Sequence, residues 1–217
     1  MVLVLRPELI SELEELYADM EAAYDGVAKQ LDHTCTGCPD NCCDSYFLHH
    51  TYIEWAYLWH GIETLTDDRR MQVLDRAIRY ELDSERLIDN GQRPKLMCPL
   101  NDNGRCTLYE YRLMVCRTHG VPASMIRPDG KQLRFPGCFR CQELVEKRNL
   151  EASGIPVMER TELLRRMVIL EQEFLEGRRH QAPKVKRTIA SMLVKGPPEL
   201  PHCSDARVST GRSARMH

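Results

Sequence analysis

Residues 7–31 read PELISELEELYADMEAAYDGVAKQL, and the stretch that follows at 33–43 reads HTCTGCPDNCC. In the first stretch, apolar side chains recur at steps of three, four and seven residues: Leu9, Leu13, Leu16, Met20, Val27 and Leu31. This spacing predicts an amphipathic helix over 7–31 with one buried face. Pro7 suits the first turn of that helix, where its missing N–H costs nothing. The helix therefore leads the chain directly into a dense group of cysteines.

Nine of the ten cysteines lie between residues 35 and 141 and form three groups along the sequence. They are Cys35, Cys38, Cys42 and Cys43; then Cys98, Cys106 and Cys116; then Cys138 and Cys141. A two-residue gap between cysteines lets a tight turn aim both sulfurs at one metal ion. In the reducing, cytoplasmic setting that we expect, such a density of cysteines favours metal binding over a disulfide framework. All nine are therefore candidate metal ligands, and His33 is the first imidazole candidate.

Cys42 and Cys43 are adjacent, which is unusual for two ligands of one ion. Successive side chains of an extended backbone point to opposite sides. One of the two cysteines then binds metal while the other packs, or they belong to different sites or to different irons of one cluster. The remaining cysteine, Cys203, lies far from the three groups in sequence and is expected to have no role.

Length and charge suggest how the chain is organised. Its 217 residues favour a single helical domain over 1–177, with the cysteine cluster at 35–145. The chain has a net charge of −2, yet residues 177–217 carry 9 Lys and Arg against 2 Asp and Glu. We expect a basic, largely disordered tail over 178–217 that is solvated, with an acidic partner as the alternative. The acidic body argues against a nucleic-acid surface, and no apolar run is long enough to cross a membrane.

Further elements complete a mainly α fold. Helices are predicted over 52–64, where Thr51 and Glu54 have capping-box spacing, and over 67–89. The inner face predicted for the second of these helices consists of Met71, Leu74, Ile78, Leu82 and Glu85 or Leu87. A short helix after Cys138 and another over 159–176 follow the same reasoning, and Arg127-Pro-Asp-Gly130 predicts a hairpin between 123–126 and 131–135. The prediction is a small helical bundle with an irregular, cysteine-rich, metal-bound segment and a short hairpin.

Several short motifs accompany the cysteines. They are the Cys35 to Cys43 stretch, Cys98-Pro-Leu, Gly104-Arg-Cys106-Thr-Leu-Tyr109 and Val115-Cys116-Arg117. This order, over about 35–145, resembles the YkgJ-like CxxCxxCC family of zinc- or iron-chelating cysteine-cluster proteins. The chain differs in having three residues before Cys42-Cys43 and Leu113 where the family often has proline. One relative of that family, the bacterial flagellin lysine methylase, is associated with an iron–sulfur cluster.

The function predicted from these features is metal binding through clustered thiolates, with no biochemical role assigned. An iron–sulfur cluster is the preferred cofactor, because nine thiols and adjacent cysteines suit a polynuclear site, and zinc is the alternative. Two other functions stay open: an enzyme like a protein methyltransferase that uses the cluster, and a nucleic-acid-associated protein that uses its basic tail. Cys116 and His119 suggest a catalytic pair, but no third, orienting residue is identifiable. Catalytic residues and partners are therefore not assigned.

Overall fold

The computed structural model describes residues 3–36, 38, 42–151 and 154–200, and about half of these are helical. Seven α-helices lie in this part of the chain: α1 (Pro7–Leu31), α2 (Tyr52–Glu63), α3 (Asp67–Asp89), α4 (Met114–Thr118), α5 (Phe139–Lys147), α6 (Thr161–Phe174) and α7 (Ile189–Val194). Five short strands accompany them: β1 (Asn101–Asp102), β2 (Arg105–Cys106), β3 (Ala123–Ile126), β4 (Gln132–Phe135) and β5 (Met158–Glu159). The predicted helical character is confirmed, with small sheets added to it.

The first helix forms as its periodicity predicts. All six apolar residues of the stripe are buried, and α1 packs against α4 and α6. Asp32 ends the helix in the left-handed conformation, with φ of 52°. This turn lets the His33 N–H donate to the carbonyl of Ala28 at 2.8 Å, and so directs the chain toward Cys35.

Helix α2 begins at the predicted cap and is buried almost all round. The Thr51 hydroxyl accepts a hydrogen bond from the Glu54 N–H at 3.4 Å and donates to the Glu54 carboxylate at 2.8 Å. A second carboxylate, that of Glu171 on α6, accepts from the N–H groups of Tyr52 and Ile53 at 3.0 and 2.9 Å. The Glu171 carboxylate and the Thr51 hydroxyl thus accept from three of the N–H groups that a helix start leaves open.

Helix α3 has the predicted bounds, but its buried face is not the predicted one. Met71, Ile78 and Leu82 are 62, 49 and 51% exposed. The buried residues are instead Val73, Ala77, Tyr80 and Ser84. Helix α7 packs closely on α3, and side chains as small as those of Ala77 and Ser84 permit that approach. The stripe prediction was therefore wrong, although the helix itself was right.

The sheets are small and lie next to the helices. Strands β3 and β4 form the predicted antiparallel hairpin, with Ala123 opposite Phe135, and β5 adds to β3 in parallel. Strands β1 and β2 form a second, two-residue hairpin that places Asn101 opposite Cys106. This second hairpin was not predicted, because strands of two residues carry no periodic signal.

The C-terminal part is ordered further than predicted. Residues 182–200 pack on the helical body, and their buried side chains include Val185, Met192, Leu193 and Leu200. The indole N–H of Trp55 donates to the carbonyls of Met192 and Gly196 at 3.1 and 2.9 Å. The boundary expected at 177 is therefore not the end of the packed chain, and the rest of the predicted tail, 201–217, lies outside the described residues. No helix among those described is long and apolar enough to cross a membrane.

Candidate metal centre

Seven cysteines that the sequence spreads over more than 80 residues line one cavity. The cavity has a volume of about 1020 Å³ and lies between α1, α2 and the irregular segment around β1 and β2. The cysteines in its wall are Cys35, Cys38, Cys42, Cys43, Cys98, Cys106 and Cys116, and His33, His49 and His119 join them. The structure thus gathers most of the predicted ligands in one place.

Backbone contacts link Cys43, Cys98 and Cys106, and we call these three cysteines and Cys116 the inner set. Cys43 lies in a short 3-10 helix, and its carbonyl accepts from the Cys98 N–H at 2.8 Å. The β1–β2 hairpin then returns the chain to Cys106, while Cys116 is carried on α4. Three separate stretches of chain therefore converge on the inner set.

Two cysteines of the inner set have the same local geometry. The Leu100 N–H donates to the sulfur of Cys98, and the Leu108 N–H donates to the sulfur of Cys106. In each case the donor lies two residues after the cysteine, within Cys98-Pro-Leu and Cys106-Thr-Leu. A hydrogen bond to sulfur stabilises the thiolate, which is the form that binds metal. The repeated geometry therefore prepares both sulfurs as ligands.

The electrostatics of the inner set favour a cation. Burial raises the pKa of Cys116 to about 12, and the charges of Cys106 and Cys43 raise it further in the same direction. Burial also raises the pKa of Cys98 and that of Cys106, and the charge on Cys43 opposes ionisation at both. These thiols cannot all ionise together without a positive charge between them, which a metal ion would supply.

Helix α4 is fixed to the helical body by a carboxylate that sequence reasoning treated only as part of a cap. Glu54 is 1% exposed, and its Oε1 accepts from the Met114 N–H at 2.8 Å, which holds the first turn of α4. Next to Cys116, the Arg117 guanidinium donates to Glu21 of α1 at 2.5 Å and lies 4.4 Å above the ring of Tyr17. These contacts position Cys116, and no sequence pattern pointed to them.

The other three cysteines of the cavity wall, Cys35, Cys38 and Cys42, form with Cys138 what we call the outer set. Cys35 and Cys42 are exposed, and Cys38 and Cys138 are half-buried. Burial and the charges of Cys138, Cys35, Cys38 and Cys43 together raise the pKa of Cys42 to about 11. Cys42 is therefore coupled to the outer set and also to the adjacent Cys43.

Cys138 reaches the outer set through a close approach between two stretches of backbone. Gly137 has a φ of 84°, and a Cβ at this position would lie 2.6 Å from the carbonyl oxygen of Gly120. Only glycine fits there, and the Cys138 N–H then donates to that same oxygen at 2.9 Å. The Cys138 sulfur consequently lies 4.0 Å from Nε2 of His33.

Two residues near the outer set were not among the predicted ligands. The Arg140 guanidinium hydrogen-bonds the sulfur of Cys38, and the Tyr24 hydroxyl lies 3.9 Å from the sulfur of Cys35. Arg140 follows Cys138 by two residues, so its place between two cysteines was a usable signal. Tyr24 lies on the half-buried flank of α1 and gave none.

Some predicted residues are placed differently. Cys141 is fully buried in the hydrophobic core, where burial and then the charge on Cys138 raise its pKa to about 11.

Cys116 and His119 both line the cavity, but no hydrogen bond joins these two side chains. Within the described residues, no three His, Cys, Asp or Glu side chains converge closely enough to hold one metal ion. Binding would therefore require the sulfurs to turn toward a common centre.

Two residues of the cavity wall also carry buried polar atoms without a hydrogen-bond partner. Nδ1 of His49 and Nδ2 of Asn101 have no hydrogen-bond partner among the described residues. Such atoms are costly unless something fills the space beside them. A donor set of four thiols is suited to zinc or to an iron–sulfur cluster.

No protein-family model, curated protein or solved structure matches this chain, and the resemblance to the YkgJ-like family rests on its motif residues alone.

Proposed function

We propose that this protein binds a metal centre through the thiolates of the inner set. An iron–sulfur cluster is the preferred occupant, and a structural zinc ion is the alternative. One observation carries the proposal: four cysteines from three stretches of chain meet at one cavity, and backbone N–H groups donate to the sulfurs of Cys98 and Cys106. Neutral thiols accept hydrogen bonds only weakly, so N–H donors at two sulfurs are not expected if the four cysteines merely fill space.

The inner set suits a structural or electron-carrying centre. Four thiolates complete the coordination of a zinc ion and leave no position for water, so zinc there would organise the fold. Four cysteines also hold the common iron–sulfur clusters, whose potential responds to hydrogen bonds at sulfur and to burial. In either case, Leu100 and Leu108 supply the N–H groups that support the ligands. Glu54 holds the helix that carries Cys116.

The test is the metal and acid-labile sulfide content of the protein purified without oxygen. We expect stoichiometric metal in the natural protein and a loss of most of it in Cys106→Ser. The matched control is Cys203→Ser, which removes a cysteine from outside the three groups and should keep the natural content. Iron with equal sulfide identifies a cluster, and zinc without sulfide identifies a structural ion. Equal metal in all three proteins, or none in any of them, would refute the proposal.

A further inference from the structure

We propose that the exposed apolar stripe of α3 is a dimer interface, on which α3 of a second copy of this chain packs antiparallel. The stripe consists of Met71, Ile78 and Leu82, which the sequence predicted to lie on the inner face of the helix. Contiguous exposed apolar surface with a polar rim marks an interaction site. The inference does not depend on the metal centre, because none of these three residues lines the metal cavity.

The first argument is the position of the three side chains around the helix. With about 3.6 residues per turn, Met71, Ile78 and Leu82 fall within roughly 40° of one another around the axis. About half or more of each of these residues is exposed. The buried residues of α3 lie on the other side of the helix, where α7 packs. The outward side of α3 therefore carries an apolar stripe about 16 Å long.

The second argument is the charge pattern along one flank of the stripe. Asp68, Asp75, Arg79 and Arg86 lie on this flank, and all four are exposed. A two-fold axis perpendicular to two antiparallel helices brings the same flank of both helices together. A residue before the axis then meets the residue that lies equally far after the axis in the second copy.

An axis beside Ala77 makes this flank complementary to itself. Asp75 then lies opposite Arg79 of the second copy, and Asp68 lies opposite Arg86 of the second copy. The symmetry repeats both pairs, so opposite charges meet at four points along the contact. This charge complementarity identifies a second copy of the chain as the occupant of the stripe.

The same axis also brings the apolar side chains together. Ile78 lies next to Ile78 of the second copy, and Met71 lies next to its Leu82. Apolar burial favours the association, and the charges fix its orientation. Arg79 already pairs with Asp75 within α3 at 3.2 Å, but both side chains are exposed. Such a surface pair contributes little, so its exchange for pairs across the axis costs little.

The contact is small, because one helix of each copy takes part. Interfaces that bury less than about 1,200 Å² are typical of weak and transient assemblies. We therefore expect a reversible dimer with a dissociation constant in the micromolar range.

The experiment is sedimentation equilibrium of the full-length protein over a range of concentrations. We expect a monomer–dimer equilibrium in the natural protein. Ile78→Lys places a charge at the centre of the stripe and should weaken the dimer by about tenfold or more. The matched control is Ile169→Lys on α6, where the isoleucine is exposed to a similar extent. This variant should dimerise like the natural protein.

Two charge variants test the antiparallel orientation. Asp75→Arg sets arginines opposite each other, and Arg79→Asp sets aspartates opposite each other, so each variant alone should associate about tenfold more weakly. An equal mixture of the two variants brings opposite charges together again and should associate like the natural protein. Recovery in the mixture also shows that both variants are folded.

The remaining outcomes overturn the proposal. If the natural protein stays monomeric and a chain that ends at residue 200 dimerises, residues 201–217 cover the stripe instead, and a monomer in both cases means that no second copy binds there. A dimer that Ile78→Lys leaves intact uses another face, and one that Ile169→Lys weakens equally is not specific to α3. Weakening in Ile78→Lys without recovery in the mixture means that the second copy does not pack antiparallel on α3.

Discussion

Two regions of the molecule are held in place by different forces: the helical frame, made of α1, α2 and α6, and the cysteine-bearing segment, residues 92–145. Helices α1, α2 and α6 bury long apolar side chains against one another, among them Leu13, Ile53 and Leu170. The segment that carries Cys98 and Cys106 has strands of two residues and is fastened by polar contacts, such as the Arg76 guanidinium to the carbonyl of Pro99 at 2.8 Å. The helices of the frame can therefore stay folded when the segment unfolds locally.

The difference in apolar burial between the frame and the segment is smaller than the sequence predicts. The stretch 92–145 is rich in proline and glycine, which predicts an irregular segment with few apolar residues to pack. The structure nevertheless buries Leu113, Val121 and Ala123, so residues 113–124 are anchored by burial. Within 97–110, Leu100 and Leu108 are buried, whereas Met97 and Tyr109 are 47 and 61% exposed. The part that depends most on its cysteines lies within 97–110.

Removal of metal should have the largest effect. A thiolate site contributes about 10 kcal/mol or more to the folded state of a small domain, and ligands must be deprotonated to bind. Acid or a chelator should therefore release the metal and free the segment while the helices remain. We expect metal-free protein to keep most of its helical circular dichroism and to be cut by protease within 97–110, with sites identified by mass spectrometry.

The control for that experiment is the metal-loaded protein under the same protease. It should resist within 97–110, while any cut in the exposed turn at 127–131 should be equally fast in both forms. If the two forms are cut alike within 97–110, packing alone holds the segment. If the helical circular dichroism is lost together with the metal, the frame depends on the metal centre as well.

Truncation at the C-terminus tests how far the frame extends. A chain that ends at residue 195 loses Leu200, which is 5% exposed, and the carbonyls of Gly196 and Pro198, which accept from Trp55 and from the Leu3 N–H. We expect a free energy of unfolding about 2.5–4 kcal/mol lower, since a buried leucine contributes about 1.5–3 kcal/mol and the Leu3–Pro198 hydrogen bond about 1 kcal/mol. The Trp55 indole keeps the carbonyl of Met192 as its acceptor. The measurement is denaturant unfolding at fixed metal content.

The matched chain ends at residue 200. It keeps these contacts, and the sequence beyond it has no periodic apolar pattern, so it should unfold like the full-length protein. Equal stability of all three chains would mean that the packing of 196–200 contributes nothing. A loss in the chain ending at 200 would mean that 201–217 stabilises the fold, against the sequence-based prediction.

The sequence predicted the frame well because burial leaves a periodic signal. The bounds of α1, α2 and α3 follow from apolar spacing and from caps such as Thr51. The same signal misled at α3, where the larger side chains of Met71 and Ile78 stay exposed and the small Ala77 faces α7. Periodicity reports apolar character, whereas close helix packing selects for size.

The division of the cysteines had no such signal. The sequence left three arrangements open for Cys42 and Cys43, and spacing alone could not choose among them. The contacts that place Cys43 beside Cys98 and Cys138 beside His33 are a backbone hydrogen bond and the close approach of Gly137 to Gly120. Both join residues that are distant in the chain. The repeated Cys-x-Leu at 98–100 and 106–108 was visible, but its meaning lies in N–H groups that only the folded backbone directs at sulfur.

The smallest effect concerns the contact between frame and segment. Gly61 of α2 faces Tyr111, and a Cβ at Gly61 would lie 2.5 to 2.9 Å from side-chain atoms of that tyrosine. The Tyr111 ring also contacts the ring of Tyr57, with centroids 5.4 Å apart, so it has little room to retreat. Overpacking costs about 1–3 kcal/mol, and alanine in place of glycine returns about 1 kcal/mol of helix propensity. We expect Gly61→Ala to lower the free energy of unfolding by about 1 kcal/mol.

The control is the same substitution in another helix of the frame, α1. Gly26 lies on the exposed side of α1, and a Cβ there meets nothing within 4 Å. Gly26→Ala should therefore raise the free energy of unfolding by about 0.5–1 kcal/mol, because only the helix propensity changes. Denaturant unfolding of both variants gives the sign of the change in the free energy of unfolding. Opposite signs in the two variants would show that the loss in Gly61→Ala comes from the contact with Tyr111. An equal gain in both would mean that Tyr111 moves aside freely and that Glu54 and Arg117 join the frame to the segment instead.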